Sequence, residues 1–231
     1  ERSAHRRLHY REVRIMRSRF DEQLALLKKE MIEMGAMCEE SIALAARALT
    51  EGNMSLAEKV ALLSQNIDQM ERDIESRCLK LLLQQQPVAK DLRAISAALK
   101  MITDMERIGD QAEDITEILP YLSGRAMPVN IPMREMAAAA IRMVTDSVDA
   151  YVKQDTGMAQ SVIDRDDVID EYFASIKQNL IDLLKTDTDS GEFAIDLLMI
   201  GKYLERIGDH ATNIAEWVIF SVTGVHKEGQ A

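Results

Sequence analysis

The string Glu-Arg-Ile-Gly-Asp stands at Glu106–Asp110 and again at Glu205–Asp209. Its surroundings repeat as well: MERIGDQAEDI at 105–115 answers LERIGDHATNI at 204–214, 99 residues on. Two copies in one frame indicate a duplicated unit. Each copy sets a Glu and an Asp four residues apart, so both carboxylates fall on one helix face about 6 Å apart. Acids so placed repel by a few tenths of a kcal/mol, and a helical Gly costs about 1 kcal/mol relative to Ala. Repeating these unfavourable choices implies that something outside the helix stabilises them.

Working outward, apolar residues recur at alternating three- and four-residue steps through both copies. Ala98, Met101, Met105, Ile108, Ala112, Ile115, Leu119 and Leu122 form one stripe, and Leu197, Ile200, Leu204, Ile207, Ala211, Ile214 and Val218 the other. Such stripes are the seams of helical bundles. Breaks at Glu51-Gly52-Asn53, around Pro87, across Gly124–Pro132, at Lys153–Gly157 and at Thr186–Gly191 divide the chain into helices. The predicted helices cover roughly 20–50, 54–85, 90–122, 133–152, 156–184 and 191–222.

The first two helices of each half also match. Met31, Met34, Cys38 and Ile42 correspond to Met133, Met136, Ala140 and Val144 at an offset of 102, as do Val60, Ile67, Asp68 and Ile74 to Val162, Ile169, Asp170 and Ile176. The fold expected is all-α, two tandem three-helix bundles in up-down-up order. The repeats occupy 20–123 and 133–222, joined by a linker at 124–132. An Arg-rich segment, 1–19, precedes them and a tail, 223–231, follows.

Composition agrees: 10 Gly, 4 Pro and 4% aromatic residues leave few breakers and few strand formers. The net charge of −11 argues against a nucleic-acid partner, whose phosphates need Lys and Arg. Residues 1–19, with seven Arg and two Glu, are the basic exception. Cys38 and Cys78 lie within apolar helical pattern and read as buried thiols. Nothing resembles a leader peptide or a membrane span, so a cytoplasmic location is expected. The 14 Met are expected to fill the core.

The carboxylates carry the chemistry. Glu106/Asp110 and Glu205/Asp209 flank the seams, and the second helices add acids at equivalent places: Asp166 and Asp170 in the second repeat, Asp68 alone in the first. Ser64 stands where Asp166 stands one repeat later. Carboxylates facing one another across a bundle need a cation or a proton. All seven are therefore candidate metal ligands, with the second repeat, holding four acids, expected to bind more tightly. Oxygen donors suit Fe, Mn, Mg or Ca, with Zn also open. A solvated acidic face paired with Arg107, Arg206 or Lys202 is the plainer alternative.

His210 has Gln111 as its counterpart, so a shared ligand role is not expected. Asp114, whose counterpart is Asn213, reads as a polar flank. No Glu-x-x-His pattern, phosphate loop or nucleophile-base signature accompanies the acids, and no enzyme is expected.

Taken together, the paired ERIGD strings, the Met34-Gly35 step, Ile67-Asp68 and Ile169-Asp170, and the QQP-x-x-x-D-L-R stretch at Gln85–Arg93 resemble the PhoU family over about 20–222. The resemblance implies a cytoplasmic negative regulator of phosphate uptake and starvation signalling. It further implies an adaptor between the ATPase subunit of a phosphate ABC transporter and a sensor histidine kinase, reaching the membrane only through partners. Multinuclear iron or zinc on these acid pairs and a homodimer are implied too. A metal-dependent all-α enzyme, a phosphohydrolase or di-iron oxidase, is the competing reading, and a purely structural bundle a third.

Overall fold

The computed structural model describes residues 2–84, 87–122 and 124–226, with side chains from residue 17 onward except that of residue 84. Gln85, Gln86, most of the Arg-rich side chains and the end of the tail, 227–231, lie outside the described residues. Within them every regular element is helical. The elements are α1 (Arg2–Glu51), α2 (Met54–Gln84), α3 (Ala89–Ile118), α4 (Met133–Lys153), α5 (Thr156–Asp164), α6 (Asp166–Thr186) and α7 (Gly191–Thr223). Short 3-10 turns close α3 at Leu119–Leu122 and open α7 at Thr188–Ser190.

The predicted breaks fall where backbone chemistry demands them. Gly52 takes φ 64°, and the Asn53 side chain then accepts from the Ser55 amide at 3.1 Å to start α2. Asp155 caps α5 through the Met158 amide at 2.9 Å. Gly224, at φ 79°, ends α7.

Two expectations need correction. The first helix begins not near residue 20 but at Arg2, because Arg is a good helix former and no Gly or Pro stands before Gly35. The fifth predicted helix, 156–184, is instead two, interrupted at Arg165. Asp residues favour helix N-termini over interiors, so the Asp164–Asp167 run ends one helix and starts the next. The Arg165 guanidinium leaves the break to pair with Asp146 on α4.

Helices α1, α3, α7 and α4 pack in a ring, each against the next, with α2 laid across α1 and α3 and with α5 and α6 across α4 and α7. Equivalent helices of the two repeats thus meet, α1 with α4 and α3 with α7. Every residue of both predicted stripes is buried, as are Met31, Met34, Met133, Met136 and Met143 between them. Cys38 and Cys78 are buried free thiols, and Cys38 Sγ donates to the Met105 carbonyl at 3.3 Å. Burial holds the Cys78 thiol at about 12. No described helix is long and apolar enough to cross a membrane.

Candidate metal centre

The glycine of each ERIGD string decides how near its helix comes to the preceding one. A methyl built on Gly109 would stand 3.0 Å from Ile67 Cδ1, and one on Gly208 3.1 Å from Ile169 Cγ2. Each isoleucine occupies the space a side chain would take, and the residue after it is Asp68 or Asp170. The Gly–Ile contact therefore carries the second helix's acid to the Glu-Asp pair of the third.

In the first repeat one oxygen from each of Asp68, Glu106 and Asp110 lies within 4.8 Å of the others. Three carboxylate oxygens around a single ion at about 2.0–2.6 Å satisfy that spacing. Asp68 Oδ1 is buried without a hydrogen-bond partner, and a desolvated lone pair of this kind calls for a cation. The donor set and the orphaned oxygen therefore fit a hard metal ion. Arg107 spans the outer side, 3.5 Å from Glu106 and 3.1 Å from Asp110, but is itself 56% exposed. Burial, then the charge of Asp110, holds the Glu106 carboxyl above its ordinary range, and Arg107 opposes them.

The second repeat also gathers its four acids. Burial raises Asp209, assisted by Glu205 and Asp166 and opposed by Lys202. Asp166 is raised by burial and by Asp170 and Glu205, with the Thr212 hydroxyl acting the other way. Among the described residues, however, the tightest convergence of three acids is in the first repeat, not in the second where the fuller set was expected. In the second, Lys202 Nζ lies 2.5 Å from Glu205 Oε2, an oxygen that, like Asp68 Oδ1, is buried without a well-directed hydrogen bond.

One acid escaped sequence reasoning. Glu71, one turn past Asp68, is raised by burial and by Glu75 and Asp68, and its charge is felt at Glu106. Thr103 donates to it at 3.4 Å. Comparing repeats hid it, because its counterpart is Phe173. The signal available was the Asp68–Glu71 spacing of three, which shares a helix face. His210 meets Asp104 Oδ1 at 2.8 Å, where Asn213 also donates at 3.1 Å. Asp114 is held above its ordinary range by burial and then by Glu117, Asp110 and Glu113, with Arg206 of α7 opposing them.

Two acid clusters at equivalent places, each seated by a Gly–Ile contact, set the frame for comparison with known proteins. The PhoU domain profile matches twice, over residues 31–119 and 133–218. The chain belongs to the PhoU family. A PhoU homologue of Clostridium acetobutylicum, described as a phosphate-specific transport system accessory protein, is 35% identical over 89% of this chain and 94% of its own length. One from Rhizobium meliloti is 31% identical over 92% and 91%. The crystal structure of PhoU from Pseudomonas aeruginosa superposes with a TM-score of 0.84 at 31% identity, covering 89% of this chain and all of that one. That of the Streptococcus pneumoniae phosphate transport system regulatory protein PhoU gives 0.83 at 26% identity, over 89% and 98%. The PhoU matches begin and end on the two repeats that contain the acid clusters.

Proposed function

We propose that this PhoU-family chain is an accessory regulator of a phosphate-specific transport system, restraining uptake and starvation signalling when phosphate is plentiful. The observation that carries the reading is the double PhoU match on both repeats, joined to relatives of nearly equal length that are named as accessory proteins of phosphate-specific transport. The chain's acidity supports protein contacts over direct phosphate capture, since a surface of net −11 repels a free anion unless metal bridges it. The partners proposed are the transporter's ATPase subunit and a sensor histidine kinase, met in the cytoplasm by a homodimer.

Iron or zinc is the cation proposed for Asp68, Glu106 and Asp110 and for Asp166, Asp170, Glu205 and Asp209. The oxygen donors and the orphaned Asp68 Oδ1 support it. Bound there, a metal neutralises the facing acids and ties each second helix to the third. It supplies rigidity; no reaction is assigned to it.

Deleting the gene and following a phosphate-starvation reporter tests the regulatory role. The expected outcome is reporter activity in phosphate-rich medium, with transporter and kinase subunits captured by the tagged chain from wild-type cells. Normal repression in the deletion strain, with neither subunit captured, overturns it. Turnover of phosphoesters or of oxygen by metal-loaded protein, abolished by Glu106→Gln, would support the enzyme reading instead.

A further inference from the structure

The two acid clusters differ in the residues around the shared core of Asp, Glu and Asp. Thr103 in the first repeat is Lys202 in the second, and Glu71 in the first is Phe173 in the second. The exchanges are coupled in space. Thr103 donates to Glu71, while the Lys202 ammonium lies 5.6 Å from the centre of the Phe173 ring and 2.5 Å from Glu205. One repeat therefore carries an extra carboxylate with a neutral neighbour, and the other an ammonium resting between a carboxylate and an aromatic face.

We infer that Lys202 is the resident counter-cation of the second cluster, and that the first cluster, with Glu71 as an added carboxylate, is the tighter metal site. The inference rests on the metal reading above and assigns its order. Lys202 sits on Glu205, the counterpart of Glu106, so an arriving ion has to displace an ammonium already paired there. Its cationic partner in the first repeat, Arg107, stands outside the trio and more than half in water, where an ion pair is worth little and gives way. The equivalent arginine, Arg206, takes no such place: its guanidinium lies 5.9 Å from the centre of the Tyr203 ring. The second cluster thus has an ammonium 2.5 Å from Glu205, whereas the nearest cation of the first, Arg107, stands 3.1 Å from Asp110 and 3.5 Å from Glu106 on the outer side.

Zinc titration of the full-length, chelator-stripped chain tests this, with bound metal counted after gel filtration and melting temperature followed in parallel. Wild type is expected to show one tight class of site, abolished by Asp68→Asn and weakened about tenfold by Glu71→Gln. Lys202→Thr should tighten the weaker class by a similar factor of about ten and lower the melting temperature of the stripped protein. Thr103→Lys should raise that temperature and remove the tight class; unchanged helical circular dichroism certifies the fold of each variant. A tight class that survives Asp68→Asn but is lost in Asp209→Asn overturns the order, as does a second cluster indifferent to Lys202→Thr. If wild type binds neither zinc, iron nor manganese, the metal reading itself falls and takes this inference with it.

Discussion

At Gly109 and Gly208 the absence of a methyl group governs how the acid-bearing helices meet. The two sites are not equally tolerant. Near Gly109 the closest atom is the end of Ile67, Cδ1 at 3.0 Å, which rotates aside; near Gly208 it is Cγ2 of Ile169 at 3.1 Å, a branch fixed to the Cβ. Gly208→Ala should therefore cost about 1–3 kcal/mol of overpacking, of which the helix-propensity gain of about 1 kcal/mol returns only part. In Gly109→Ala the helix-propensity gain of about 1 kcal/mol offsets most of the clash. Urea unfolding of the two variants checks the order, and equal losses would contradict it. These glycines were legible because each carries a local penalty with no local return. Glu71 was not, because aligning the repeats draws attention to what is shared and passes over what differs.

At the scale of elements, the α1–α4 contact shows the same economy of space. A methyl on Gly35 would meet Val148 Cγ2 at 3.0 Å, which places Glu39, one turn on, against α4. Burial raises the Glu39 carboxyl above its ordinary range and Asp149 adds to it, with the Thr145 hydroxyl opposing. A carboxyl raised in the folded state binds protons more readily there than in the unfolded chain. Its charged form therefore costs stability at neutral pH, and the cost disappears as pH falls through the raised value toward the ordinary one. Glu39→Gln should raise the melting temperature at pH 7, and the difference from wild type should shrink on acidification toward pH 4.5. Melting curves at several pH values decide it; a variant less stable at pH 7 contradicts the assignment. Helix boundaries marked by Gly, Pro and Asn were readable from the chain. The Arg165 break was not, since its side-chain anchor, Asp146, belongs to another helix and periodicity runs through the gap.

Over the whole molecule, the repeat arithmetic foretold two three-helix units, and the structure adds how they join: equivalent helices meet, so α3 and α7, which carry the ERIGD strings, pack against each other. That juxtaposition had no sequence signal, because the polar links between α3 and α7 join residues about a hundred positions apart. Asp104 with His210 and Asn213 is one such cross-repeat link. Under the function proposed above, the chain restrains phosphate uptake through its acid clusters. Labelled-phosphate uptake in a strain lacking its own copy, rescued with wild type or with Glu106→Gln/Asp110→Asn, tests it most directly. Restored restraint is expected with wild type and unrestrained uptake with the double variant at equal protein level. Equal restraint by both chains, or none by wild type, would contradict it.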